Sequence, residues 1–276
     1  METEKIPVSV IIPCYDCQAT VSRAARSVAA QTLRPAELIL INDGSRDGTA
    51  DVLKGLREEF GADWVKIITL PENGGQAKAR NAGWDAAVCP YIAFLDSDDS
   101  WHPEKLAIQY GYMSGHPEVV LAGTECIWSE GGPAEPDRFF KKSMARPVSK
   151  FRFMFVSRYF VTSAVMLRRD IPIRFPEDAF WAEDRFLWMK IISEGNKAVH
   201  FDIPLTRQYK FPYGQGGITK SLWKMEKGEL KGFVRLHKTG LLNSGELFLC
   251  VVSSLVKFVR RGCIVFLRKG GRKNGR

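Results

Sequence analysis

Three carboxylates within four residues, Asp96-Ser97-Asp98-Asp99, follow directly on the apolar run Tyr91–Leu95. Carboxylates this close repel one another, and each keeps its charge only with a cation near. A hard divalent ion, Mg²⁺ or Mn²⁺, takes oxygen ligands and is commonly held by one or two carboxylates plus the phosphates of a substrate. The stretch therefore predicts a metal–diphosphate site at the C-terminal end of a short buried strand, where open α/β sheets bind ligands. It equally suits an acidic turn, since Asp and Ser favour turns and Trp101-His102-Pro103 reads as a helix entry. The stretch alone leaves both readings standing.

Two further strand ends add to it. The β-branched run Val8–Ile12 delivers Pro13-Cys14-Tyr15-Asp16, and Glu37–Ile41 delivers Asn42-Asp43-Gly44-Ser45. An aromatic ring can flank a nucleobase, a carboxylate can accept from a base N–H or a ribose hydroxyl, and an acidic pair can hold a metal–diphosphate. Together these meet the needs of a nucleotide-diphosphate pocket. No Gly-x-Gly-x-x-Gly follows the first strand and no Gly-x-x-x-x-Gly-Lys-Ser/Thr occurs, so phosphate must be held by a cation rather than a loop. Glu183-Asp184 opens an amphipathic helix with Phe186, Leu187 and Ile191. An acid there suits a general base for a poorly nucleophilic hydroxyl, and equally the ordinary charge of a helix N-terminus.

The elements that must position these residues alternate. Strands are expected at Val8–Ile12, Glu37–Ile41, Val65–Leu70 and Tyr91–Leu95. Helices are expected between them over about 18–31 (capped by Asp16), 49–60 and 77–88. The order βαβαβαβ implies a parallel sheet with right-handed crossovers. A helix over 103–114 and a strand near 118–127 continue it, and 128–150 reads as a loop. Val161–Leu167 reads as a strand, Trp181–Ser193 as a helix, Lys197–Phe201 as a last strand and 204–218 as a mobile Pro/Gly/Tyr-rich stretch.

The composition is that of a globular protein, with 45% hydrophobic and 26% charged residues. Six scattered cysteines and an N-terminus without an apolar leader favour a reducing, cytoplasmic setting. The net charge of +9 is concentrated at one end: residues 257–276 hold eight Lys/Arg and no acid, leaving 32 basic against 31 acidic elsewhere. A nearly neutral body argues against nucleic acid as a partner, and the basic tail suits an anionic surface. On a helical wheel over 246–268, Glu246, Ser253, Ser254, Lys257, Arg260, Arg261 and Arg268 share one side and apolar residues fill the rest. A spanning helix would bury Lys257, Arg260 and Arg261 at roughly 2.5–3.5 kcal/mol each, and Gly262 would weaken it. The expectation is an interfacial helix, basic face on anionic headgroups and apolar face in the acyl boundary. The alternative is packing on the body or a second subunit.

Five segments in order carry a resemblance. They are Pro13-Cys14-Tyr15-Asp16, Asn42-Asp43-Gly44-Ser45-Arg46-Asp47-Gly48-Thr49, Asn73-Gly74-Gly75 with Ala79-Arg80-Asn81-Ala82-Gly83, Leu95-Asp96-Ser97-Asp98-Asp99, and Glu183-Asp184. Over about residues 6–220 the chain resembles inverting family-2 glycosyltransferases of the GT-A fold, above all bacterial enzymes that build surface polysaccharide. The resemblance implies an α/β fold, a Rossmann-like, mostly parallel sheet flanked by helices. It implies a catalytic domain over 1–220, with a nucleotide-sugar half to about 100 and an acceptor half to 220, then a helical basic extension over 221–276.

It also implies roles. Tyr15 would lie against the base beside Pro13 and Asp16, and Asp43 would bond the base, usually uracil. Asp96 and Ser97 would lie at the ribose and diphosphate. Asp98 would ligate Mn²⁺ or Mg²⁺ with Asp96, and Asp99 would compete as a ligand. Asp184 would be the catalytic base. The family often has Asn at the position of Asp16 and Asp at the position of Asn42. The implied donor is a nucleotide sugar, UDP-linked by preference, and the implied acceptor a glycan or lipid-linked hydroxyl at the inner face of the cell membrane. A sugar nucleotidyltransferase would need a Gly-rich basic loop after strand 1, which Pro13–Asp16 does not offer. A catalytically silent nucleotide-binding partner is the other alternative.

Remaining residues carry less. Cys14 and Cys17 have redox or zinc spacing without a second pair. His102, His116, His200 and His237 read as structural or exposed. Arg207, Lys210 and Lys220 suit either a lid over the diphosphate or solvent. Arg80 and Asn81 read as helix packing beside the acidic motif, and Phe151, Phe153 and Phe155 as core or acceptor side.

Overall fold

The computed structural model describes residues 5–128, 144–156, 159–178, 182–210 and 221–273. The first four strands are β1 (Lys5–Cys14), β2 (Arg34–Asp43), β3 (Val65–Leu70) and β4 (Tyr91–Phe94). Between them lie α1 (Val21–Ala29), α2 (Thr49–Phe60) and α3 (Gln76–Ala86). The next elements are β5 (Ser100–Trp101), α4 (Lys105–Gly115), β6 (Val119–Trp128), β7 (Ala145–Pro147) and α5 (Lys150–Phe155). The chain continues with β8 (Met166–Arg168), α6 (Glu183–Ser193), β9 (Lys197–Gln208), α7 (Leu222–Lys238) and α8 (Ser244–Lys273).

One sheet runs β3-β2-β1-β4-β8-β6-β9-β5, with β7 pairing β9. β1, β2, β3 and β4 are mutually parallel, as their crossover helices require. β8 enters antiparallel between β4 and β6, and β6 with β9 restores a parallel pair. The expected α/β architecture is thus found. Its parallel half aligns the ends that matter: Cys14 lies opposite Asn42, and Phe94 opposite Ile11, so Tyr15, Asp43 and Asp96 leave the sheet at the same edge.

The central strands are apolar on both faces because both faces are covered. Ile11, Ile39 and Phe94 face a layer holding Trp84, Phe175 and Trp188, while Val10, Ile12 and Leu40 face Val21, Val28 and Leu53. α3 approaches β1 so closely that a Cβ on Gly83 would stand 2.4 Å from Ile11 Cγ2. Phe233, Leu236, Leu242 and Cys250 of the C-terminal pair belong to the same apolar layer as Trp84 and Trp188.

Several expectations are corrected. α1 starts at Val21, not near Gln18, and Asp16 does not cap it: Asp16 has φ 44° and accepts from the Arg46 amide instead. Val161–Leu167 is not one strand; Thr162–Ala164 form a 3₁₀ turn before β8, in which the Thr162 hydroxyl donates to Asp184 and Ser163 Oγ accepts from the Asp96 amide. Within 128–150, β7 and the start of α5 replace the expected loop, and 129–143 lie outside the described residues. β9 runs through Gln208, taking in the first part of the stretch read as mobile; 211–220, with Lys220, lie outside the described residues.

The largest correction concerns α8. It passes Gly262 without a break. Its polar side faces the protein, not a surface: Ser254 is buried on Glu226, Lys257 Nζ donates to the Met154 carbonyl, and Arg261 pairs with Glu226 at 2.7 Å. Glu246 accepts from Lys150, so the tail's acid is also turned in. The apolar side, with Phe248, Val256 and Val259, faces out. Burial of Glu226 and Glu229 on α7 is the physical reason, since buried carboxylates demand cations and draw α8 round to supply them.

Candidate active site

The loops after β1 and β2 are stitched together by their polar residues. Asn42 Oδ1 accepts from the Ser45 amide at 3.1 Å, and Ser45 Oγ accepts from the Asp16 amide at 3.2 Å. Asp47 accepts from the Gln18 and Thr49 amides, and Thr49 Oγ1 accepts from the Cys17 amide. This network holds Tyr15 with its ring 44% exposed beyond buried Pro13. Asp43 is buried, and its two oxygens accept from the Gly74 and Gly75 amides at 2.8 and 3.0 Å. Gly44 makes this possible: it sits at φ +65° with the Glu72–Asn73 backbone so close that a Cβ would meet it at 2.6 Å.

At the end of β4 the three carboxylates diverge. Asp96 pairs with Arg80 at 2.7 Å, and its amide donates to Ser163 Oγ. Asp98 Oδ2 lies 2.7 Å from Lys210 Nζ, while its carbonyl accepts from Arg23 Nη2 at 2.6 Å. Arg23 in turn stacks on Tyr209, 3.6 Å from the ring centre. Asp99 is buried. Burial, reinforced by the charges of Asp96 and Asp98, pushes its carboxyl well above the usual range, against hydrogen bonds from Ser163 and Gln208. Excess negative charge, hard oxygen donors and an ammonium already drawn to Asp98 fit a divalent cation. Asp96 and Asp98 are the partly exposed pair of the three.

The distant Glu183-Asp184 joins this site through Arg80 and through the adjacent Thr162 and Ser163. Arg80, buried in α3, spans Asp96 at 2.7 Å and Glu183 at 2.9 Å. Burial disfavours its charge, but the Asp96 and Glu183 carboxylates overcome that and raise its pKa. One guanidinium cannot neutralise three acids. Burial, then the Asp184 charge, lift Glu183 to about 7 despite Arg80. Asp184 stands less buried than its neighbour and accepts from Thr162 Oγ1 at 3.2 Å. The preceding Ala182 sits in the left-handed region at φ 60°, a conformation rare for a residue with a Cβ, and it sets the direction in which α6 departs.

The strand-end residues Pro13, Tyr15, Asp16, Asp43, Asp96, Ser97, Asp98 and Asp99 therefore gather at one sheet edge, and Arg80 ties the Glu183-Asp184 pair to it. Asn81 does fix packing: its amide bonds the Phe175 backbone in both directions. Arg207 is buried in β9 rather than lying on a lid. Sequence reasoning missed Arg23, Thr162, Ser163 and Tyr209. Cys17 lies among these loops, its thiol lowered to about 7, chiefly by a hydrogen bond from Cys14. Away from this edge, Glu125, His200 and Asp202 on β6 and β9 bring ligand atoms within 4.8 Å of one another. Burial there lowers the His200 pKa, and Arg146 pairs with Asp202 at 2.5 Å.

The family model described as "Glycosyl transferase family 2" matches residues 9–173. The Escherichia coli protein named UDP-Glc:alpha-D-GlcNAc-diphosphoundecaprenol beta-1,3-glucosyltransferase WfaP is 30% identical over 193 residues, covering 69% of this chain and 72% of that one. Two other bacterial relatives align over only 30% and 41% of their own length. The fold matches S. aureus TarS 1-349 in complex with UDP-GlcNAc at a TM-score of 0.69 and 22% identity, covering 93% of this chain and 72% of that one. It also matches the mannosyltransferase PcManGT of Pyrobaculum calidifontis, solved with GDP-Man and Mn²⁺, at a TM-score of 0.65 and 16% identity, covering 98% of this chain and 81% of that one.

Proposed function

We propose that this chain, which belongs to glycosyl transferase family 2, is a metal-dependent inverting glycosyltransferase of bacterial surface-glycan biosynthesis. It moves a sugar from a nucleotide diphosphate sugar, UDP-linked by preference, to a hydroxyl of a lipid-linked or polysaccharide acceptor. The observation that carries this reading is the Arg80 bridge, which sets a candidate base pair against the acidic strand end. The names of relatives support the donor and the setting: WfaP is named for UDP-Glc and a diphosphoundecaprenol acceptor, and TarS was solved with UDP-GlcNAc.

Position supports the following proposed roles. Tyr15 offers a half-exposed ring to the base, with Pro13 and Asp16 shaping its edge. Asp43 holds the Gly74–Gly75 turn beside it through both carboxylate oxygens, and a base would have to reach a remaining lone pair. Asp96 and Asp98 would hold Mn²⁺ or Mg²⁺, with Ser97 between them and the buried Asp99 beside them as a competing ligand. Such a cation, when bound there, would supply positive charge for the departing diphosphate. Asp184 takes the acceptor proton onto a carboxylate oxygen that Thr162 orients. In a one-step displacement the base works opposite the leaving group, so the anomeric centre inverts. Lys210, paired with Asp98 at 2.7 Å, is placed to meet the charge of the diphosphate.

A lipid-linked acceptor, as in the name of WfaP, supports a reading of the enzyme as cytoplasmic and peripheral to the inner face of the membrane. No helix among the described residues is long and apolar enough to cross one. The test is turnover on a panel of UDP- and GDP-sugars with Mn²⁺ and a polyprenyl-diphosphate-linked sugar. Asp184→Asn is expected to lose about 10²–10⁴-fold in rate while still binding UDP. UDP binding without turnover of any donor would leave a silent nucleotide-binding partner. Turnover of GDP-sugars alone would keep the mechanism and change the donor.

A further inference from the structure

We infer that the outward side of α8, flanked by exposed aromatics of α5 and α7, docks on an anionic lipid bilayer apolar face first. The inference deepens the proposed membrane-side function and rests on that reading for its purpose. It reverses the orientation that the helical wheel suggests. Phe248, Val252, Leu255, Val256 and Val259 form a stripe exposed by 42–67%. The stripe extends about 17 Å along the helix at 1.5 Å per residue. A helix on a soluble protein hides that side and exposes the other.

The stripe does not stand alone. α5 lies along one flank, fixed by Ser253 and Lys257 on its Met154 carbonyl, and exposes Phe151 and Phe155 as an edge-on pair 5.0 Å apart. On the other flank Trp223 of α7 is 61% exposed and meets Phe258 edge-on at 5.9 Å. An exposed apolar surface of this extent marks an interaction site, and Trp favours the membrane–water boundary.

The rim identifies the occupant. The acids of α7 and of described α8, Glu226, Glu229 and Glu246, are all turned inward onto Arg185, Arg261 or Lys150. Lys227, Lys231, Lys238 and Arg260 stay exposed, and the chain adds more cations beyond them without an acid. A second copy of the chain would set this cationic rim against itself, which like charges disfavour. A bilayer offers acyl chains to the stripe and anionic headgroups to the rim together.

Flotation of the full chain with vesicles of phosphatidylcholine alone and of phosphatidylcholine with phosphatidylglycerol tests it. Wild type is expected to float with the anionic vesicles, and Val256→Glu with Val259→Glu to stay behind. The pair Val256→Ser with Val259→Ser controls for added charge and should weaken flotation without abolishing it. Lys227→Glu and Lys231→Glu should each weaken anionic-vesicle binding at least about fivefold, the equivalent of about 1 kcal/mol per cation. Equal flotation of wild type and the double Glu variant overturns the proposal. So does a dimer in light scattering that the same variant disperses. UDP titration of the same samples separates the two readings. Vesicle binding without UDP binding refutes only the enzyme, and turnover on a detergent-solubilised acceptor without vesicle binding refutes only the docking face.

Discussion

Two enclosed arginines solve the same electrostatic problem on either side of the α6 N-terminus, where Glu183 pairs with Arg80 and Arg185 shares Glu229 with Arg261. Arg80 spans Asp96 and Glu183, and Arg261 spans Glu226 at 2.7 Å and Glu229 at 3.7 Å. Around Arg261 the acids are fully enclosed and shared with Arg185, so charge is balanced and the pair holds α8 to α7. Around Arg80 a third acid, Asp184, is left over, and Glu183 is lifted to about 7. The balanced cluster orients a helix. The unbalanced one leaves charge available for a proton and a cation, and that imbalance separates a site from a joint.

Breaking each arginine should expose the difference. Removing one partner of a buried ion pair costs about 3–5 kcal/mol, so Arg80→Met and Arg261→Met should both lower the urea midpoint of unfolding by that equivalent. Only Arg80→Met should also weaken UDP binding in the fraction that remains folded, measured by calorimetry. If Arg261→Met weakened UDP binding as strongly, the division between site and joint would fail.

Next in size is the imbalance at Glu183. Its folded pKa of about 7 lies above the ordinary value of 4.5. The native state therefore holds the extra proton between those pH values, and stability falls as pH rises through that window, by at most about 3 kcal/mol. Melting temperature measured from pH 4.5 to 7 should fall accordingly, and Glu183→Gln should flatten the slope. Smaller again is Gly83→Ala, whose methyl would press on Ile11 beneath the site. Overpacking of that kind costs about 1–3 kcal/mol, with UDP affinity changing little if α3 yields as a unit.

What was legible follows from where each partner lies. Apolar β-branched runs such as Val65–Leu70 announce strands by themselves, and that strand is found at those bounds, on the sheet edge. The strand-end residues are legible because parallel topology forces their ends together. Thr162 and Ser163 were hidden inside an apolar run, where nothing local shows that their hydroxyls serve Asp184 and Asp96. Arg23 sits where the α1 wheel points to solvent, and its partners Asp98 and Tyr209 arrive from far along the chain. The wheel of α8 separated polar from apolar sides correctly. Which side turned inward depended on Glu226 and Glu229, acids of a different helix.

The central claim is that a cation on Asp98 holds a nucleotide diphosphate at the strand ends. Calorimetric titration of UDP, with GDP as control, into wild type and Asp98→Ala, each with Mn²⁺ and with chelator, tests it directly. The account predicts UDP binding that requires both Mn²⁺ and Asp98. Failure of UDP to bind under any condition, or binding that neither chelator nor Asp98→Ala alters, would contradict it.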